Sequence, residues 1–119
     1  MAIHLKHGKR AEHNALRFLK QQGLHLILEN YRCRSGEIDL IMQDHQVIVF
    51  VEVRLRTNPT YGSAVESIST GKQCRIIHAA QHYLITQGKV YQHHDARFDV
   101  LGINAQQQID WIKNAFEVQ

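Results

Sequence analysis

At 119 residues, 44% of them hydrophobic and 21% charged, the chain is long enough for one buried core and too short for two, and its single proline excludes a low-complexity or disordered protein. The net charge of +3, with nine histidines counted neutral, is compatible with an anionic partner without requiring one. The longest apolar run, Val47 to Val51, is far too short to span a bilayer, and Cys33 and Cys74 lack metal-ligand spacing, so a cytoplasmic protein with free thiols and no membrane partner is expected.

The first predicted element is a helix bounded by Gly8 before it and Gly23 after it. Ala11, Ala15, Phe18 and Leu19 recur at the i, i+4, i+7, i+8 spacing of an amphipathic stripe. The opening residues are interrupted by His, Lys and Arg, which argues against a signal peptide. Residues 24–33, 36–42 and 46–56 then read as three strands, and the short polar link between the last two predicts an antiparallel hairpin. Pro59 and Gly62 mark residues 57–63 as a loop, where Tyr61 and Gly62 could touch a nucleotide or simply form a turn. Ser69 or Thr70 is placed to cap a second helix whose stripe runs through Ile76, Ile77, Ala80, Tyr83 and Leu84. Residues 96–103 predict a fourth strand, and residues 108–116 a tail able to form a fifth. The order α-β-β-β-α-β plus a C-terminal tail predicts one α/β domain over residues 1–119, a mixed sheet flanked by helices.

The third predicted strand carries the chemistry. Side chains alternate along a strand, so Ile48, Phe50, Glu52 and Arg54 share one face, with Val47, Val49, Val51, Val53 and Leu55 on the other. In the preceding strand Glu37, Asp39 and Ile41 oppose Ile38, Leu40 and Met42. With Asp44 and His45 as a two-residue turn, Asp39 faces Phe50 and Glu37 faces Glu52; a three-residue loop reverses the parity. The valine face is then buried, and the opposite face turns from apolar to polar away from the hairpin tip. Like charges placed together need compensation, and Mg²⁺ or Mn²⁺ on carboxylate oxygens is one form of it. A cross-strand salt-bridge cluster at the surface is the other, and Glu37 fits that role by pairing with Arg34 or Arg54.

Outside that cluster the patterns are weaker. Arg32, Arg34, Arg54 and Arg56 alternate along two strands and, with Lys72 and Arg75, either line a phosphate groove or form an ordinary solvated surface. His78 and His82 have zinc-compatible spacing with no third ligand in view, so a solvated helix face is expected. Trp111 and Phe116 read as core or dimer packing rather than base-stacking platforms.

The segments "GEIDLI" and "VFVEVR", with Asp39 ahead of Glu52-Val53-Arg54, resemble the PD-(D/E)xK signature of restriction-endonuclease-like nucleases. Together with "GKRAEHNALRFL", "YGSAVESISTGKQ", "RFDVLGI" and "IDWIKNAF", they make nearly the whole chain similar to the YraN family of small uncharacterised bacterial proteins. The resemblance implies a restriction-endonuclease-like core, Holliday-junction-resolvase-like relatives and one or two Mg²⁺ or Mn²⁺ ions per site. It implies metal ligation by Asp39 and Glu52, with the Val53 carbonyl as a third ligand. Glu12 occupies the place of a first-helix glutamate that joins the site, against the plainer reading of an exposed residue paired with Arg10 or Arg17. Where the signature has lysine this chain has Arg54, which can hold a phosphate but cannot act as a base; Lys72 is a candidate stand-in.

Three functions follow as expectations. The first is a Mg²⁺-dependent endonuclease acting on structured DNA, as a homodimer if it cuts two strands. The second is a nucleic-acid-binding module that keeps the nuclease core and cuts poorly or not at all. The third is a protein-interaction domain whose acidic cluster is only structural.

Overall fold

The run from Val47 to Val51 must bury both of its faces, and the fold provides a helix for each. The structure, a computed structural model, describes residues 2–56 and 64–118, with residues 2–7 described by backbone alone. The loop predicted over residues 57–63, including Tyr61 and Gly62, lies outside the described residues. The elements are α1 (Ala2–Gln21), β1 (His25–Cys33), β2 (Gly36–Asp44), β3 (Val47–Arg56), α2 (Thr70–Thr86), β4 (Asp95–Asn104) and β5 (Ile109–Phe116). The strands form one sheet in the order β1-β2-β3-β4-β5. Strands β3 and β4, joined across α2, are parallel, and every other neighbouring pair is antiparallel. This mixed sheet between two helices is a restriction-endonuclease-like arrangement, and the predicted tail completes it as the edge strand β5.

Helix α1 covers one face, where Ala11, Ala15 and Leu19 pack with Leu40, Met42, Val49, Val51 and Leu101. Helix α2 covers the other, where Ile76, Ala79, Ala80 and Tyr83 pack with Ile41, Ile48, Phe50, Phe98 and Val100. The face of β3 opposite the valines is therefore a second core layer up to Phe50, and polar only beyond it.

The local signals hold with one change. Helix α1 begins before Gly8, which sits inside it: glycine costs a helix interior about 1 kcal/mol but does not by itself end one. Gly23 does end it, because at φ +95° it allows Gly23 N–H to reach the Lys20 carbonyl and Leu24 N–H the Leu19 carbonyl, at 3.0 and 3.1 Å. Ser69 caps α2 by accepting from the Lys72 N–H at 3.1 Å. The helix then approaches the β1–β2 turn so closely that a Cβ on Gly36 would lie 2.9 Å from the Arg75 carbonyl oxygen.

Two departures from the simple strand pattern shape the site. The β2–β3 turn is His45–Gln46, with His45 at φ +55°, so Asp44 pairs with Val47 and Ile41 with Phe50. The expected pairing thus shifts by two residues, parity is kept, and the next step beyond Leu40↔Val51 sets Asp39 against Glu52. The second departure is an exchange of faces along β2. Ile38 packs in the α2 layer, whereas Leu40 and Met42 pack in the α1 layer. The exchange falls where Asn30, at φ +53°, lies across from Asp39 between the pairs Glu29↔Leu40 and Tyr31↔Ile38.

A wholly buried Asp99, to which the sequence reading gives no role, ties β4 to β5. Its carboxylate accepts from Arg97 Nε at 3.0 and 3.2 Å, from Trp111 Nε1 at 2.9 Å and from the Asn114 N–H at 3.0 Å. Arg97 continues to Asp44 at the β2–β3 hairpin, 3.1 Å away. Every contact lands beside the irregular register between Phe98 and Val100, so the carboxylate serves as partner where the ladder is broken. Trp111 also packs edge-on against Phe18, and Phe116 stacks on Phe98, which places both in the core.

Candidate active site

Past the Leu40↔Val51 pair, β2 and β3 part and a side chain replaces the ladder. Asp39 Oδ2 accepts the Val53 N–H at 2.8 Å, which fixes the Asp39 carboxylate in the fork. Glu52 follows directly on the buried Val51 and is only 4% exposed. Lys72 Nζ, delivered by the capped first turn of α2, lies 3.3 Å from Glu52 Oε2. Arg54 Nε stands 3.8 Å from the same oxygen, an ion pair too long for a hydrogen bond, while its Nη2 donates to the Ser67 carbonyl at 3.3 Å. Arg54 Nε is accordingly buried without a hydrogen-bond partner.

These groups line a cavity of about 300 Å³ together with Gly8, Ala11, Glu12, Val53 and Leu55. A larger but more open hollow of about 410 Å³ lies along α1, and a smaller, better-enclosed one of about 150 Å³ lies between α2 and the C-terminal segment, but neither brings facing carboxylates together.

The electrostatics follow from that crowding. Glu52 is pushed up to about 8, first by burial and then by the charge of Asp39 and a hydrogen bond with it, against the opposing pull of Lys72 and Arg54. Glu12 is also raised, by partial burial and then by Asp39; a hydrogen bond from Asn30 and the charge of Lys9 oppose the shift. Near neutrality, Glu52 therefore keeps its proton unless a further cation takes that proton's place.

The donor set fits a hard divalent ion. Among the described residues no three His, Cys, Asp or Glu side chains converge as a metal cage. The pair Asp39 and Glu52 suits Mg²⁺ or Mn²⁺ instead, because Mg²⁺ binds through one or two carboxylates and keeps water and substrate oxygens for the rest.

Of the nine residues expected from the sequence to serve catalysis, metal binding or a phosphate groove, five meet here: Glu12, Asp39, Glu52, Arg54 and Lys72. The other basic candidates do not line the cavity. Arg32 is paired with Glu37 across the hairpin at 3.3 Å, both exposed, and this replaces the expected pairing of Glu37 with Arg34 or Arg54. Arg34 is in the exposed β1–β2 turn, beside the contact between Gly36 and Arg75. Arg56 lays its side chain over Gly102. His82 hydrogen-bonds the Tyr31 hydroxyl. Sequence reasoning passes over Asn30, whose one visible signal is its place in "ENYR" ahead of "GEIDLI".

No helix among the described residues is long and apolar enough to cross a membrane, and Cys33 and Cys74 are both free. Residues 11–103 match the model of uncharacterised protein family UPF0102. The chain is 46% identical to a UPF0102 protein of Nitrosococcus oceani, over 99% of this chain and 97% of the relative. It is 48% identical to one of Nitrosomonas eutropha over 92% of each, and 44% identical to one of Pseudomonas fluorescens over 96% and 95%.

Proposed function

Because the chain belongs to the UPF0102 family, the YraN family of the sequence resemblance, we propose that its fork is a phosphodiester-hydrolysing site for structured DNA, dependent on Mg²⁺ or Mn²⁺. The observation that carries the reading is the pairing of Asp39 with a 4%-exposed Glu52 beneath two cations, Lys72 and Arg54. A surface salt-bridge cluster has no need to bury its carboxylate at this depth.

Each residue has work in that reaction. Asp39 and Glu52 would hold the cation, which would supply Lewis-acid polarisation of a phosphoryl oxygen and a more acidic water. Lys72 and Arg54 offer N–H donors to the phosphate, and the unused Arg54 Nε is one of them. Glu12, on the cavity wall, orients the attacking water. Water adds to phosphorus, the ester P–O bond breaks, and the leaving oxygen takes up a proton to give a hydroxyl and a phosphomonoester.

Calorimetric titration of Mn²⁺ and Mg²⁺ into the wild type and an Asp39→Asn/Glu52→Gln variant is the test, followed by cleavage of branched and linear DNA. Binding and cleavage that both vanish in the variant support the reading. A wild type that binds no metal, even with a DNA junction present, refutes it.

Arg54 favours a second reading, a binding module that does not cut, because arginine cannot serve as the base that lysine provides. DNA binding without cleavage by the wild type, with cleavage acquired on Arg54→Lys, would select it.

A further inference from the structure

We infer that the outer face of α1, formed by Lys9, Arg10, His13, Arg17 and Lys20, is the track on which the sugar-phosphate backbone of a DNA arm lies as it leaves the fork. The inference rests on the hydrolytic reading for its ligand and adds to it a binding surface outside the cavity.

The basic residues of the sheet leave this role open, because Arg32 is paired with Glu37 and Arg56 lies over Gly102. Helix α1 can fill it. At 3.6 residues per turn, positions 9, 10, 13, 17 and 20 fall within an arc of about 100°, on the side away from Ala11, Ala15 and Leu19, which face the sheet. All five residues are exposed. No carboxylate interrupts the arc, since Glu12, the single acidic residue of α1, is on the cavity wall. Among the described residues no ion pair holds Arg10, Arg17 or Lys20.

Such a row does not serve the helix itself. Arg17 and Lys20 stand three residues apart and repel, and a protonated His13 adds to the repulsion from four residues before Arg17. The helix macrodipole rewards Lys20, in the last turn, but reaches no farther back than that turn. A net charge of only +3 does not require the concentration either. A run of phosphates compensates all of it.

Shape and position agree with that partner. His13, Arg17 and Lys20 line the open hollow along α1, and Arg17 also borders a second one of about 260 Å³ shared with Asn14 and Gln107; neither lining contains a carboxylate. At its other end the row joins the fork, because Lys9 and Arg10 stand between Gly8 and Ala11, both on the cavity wall. From Lys9 to Lys20 the helix rises about 17 Å, enough to follow about five phosphates of one strand at about 3.4 Å each.

The test is fluorescence anisotropy in EDTA over a range of KCl, with a labelled four-way DNA junction and a labelled linear duplex, comparing the wild type with Arg10→Gln/Arg17→Gln/Lys20→Gln. All three positions are exposed, so the variant should melt no lower than the wild type and keep its Mn²⁺ affinity. The slope of log K against log salt should become shallower by about 2 to 3, so a rise from about 50 to about 200 mM salt costs the variant about 40-fold less affinity than it costs the wild type. In cleavage the effect should fall on KM rather than kcat. Arg32→Gln/Arg34→Gln/Arg75→Gln, which removes the same formal charge elsewhere, should change the slope by less than about 1. An unchanged slope in the α1 variant, an equal change in both variants, or a wild type that binds neither probe would overturn the track, and Mn²⁺ titration then decides the hydrolytic reading separately. DNA binding through α1 by a wild type that takes up no Mn²⁺ would keep the surface and refute the hydrolytic reading.

Discussion

Replacing Glu52 by glutamine removes a charge that the fold buries with difficulty, so in the absence of metal the variant should be more stable than the wild type. The native carboxyl holds its proton up to about 8, whereas the unfolded chain releases it near 4.5. Between those values the native state binds more protons than the unfolded state, so wild-type stability falls as pH rises through the window. At 1.36 kcal/mol per pH unit, the difference sets an upper limit of about 5 kcal/mol. The attraction of Lys72 and Arg54 is already contained in that difference, and relaxation and water entry around the ionised carboxylate reduce it further, which leaves a net gain of about 2 to 3 kcal/mol above pH 8. That gain corresponds to a rise in Tm of about 8 °C or more for a domain of this size. Thermal and urea unfolding in EDTA, at pH values below 4.5 and above 8, measures it. The gain should be absent at the lower pH, where the Glu52 carboxyl is neutral in the native and the unfolded state alike, and full at the higher. Millimolar Mn²⁺ should reverse the order at the higher pH by stabilising the wild type alone. A variant equally stable with the wild type above pH 8, or stabilised by the same amount at both pH values, would refute the burial argument.

Two further substitutions test the frame around the site. Asp99→Asn leaves Arg97 without its buried counter-charge and disturbs three donors, so it should cost about 3 to 5 kcal/mol in urea unfolding; a loss under about 1 kcal/mol would show that the network is dispensable. Gly36→Ala places a methyl against the Arg75 carbonyl oxygen, a backbone atom that cannot swing aside, and should cost about 1 to 3 kcal/mol. A neutral outcome would mean that α2 can shift off the β1–β2 turn.

What local pattern encodes was readable before any coordinates. The period-3.6 stripe of Ala11, Ala15 and Leu19 announces α1, and Gly23 and Ser69 mark a helix stop and a helix start, because caps are decided within one turn of chain. The period-2 alternation around Val49 and Phe50, with a two-residue turn, puts Asp39 and Glu52 on compatible sides whichever pair of residues makes the turn. A register slip of two therefore left the candidate carboxylates unharmed and brought them opposite each other. The resemblance in "GEIDLI" and "VFVEVR" pointed to the same pair.

Contacts between distant elements are another matter. That Lys72 reaches Glu52 depends on how far α2 slides over Gly36, and that Arg32 is spent on Glu37 depends on the pairing of β1 with β2. Asp99 looks like any strand aspartate until β5 brings Trp111 and Asn114 to it. Periodicity records which face a residue presents, since that repeats within an element. Which partner waits on that face is settled by packing across many residues of intervening chain, and only the tertiary structure decides it.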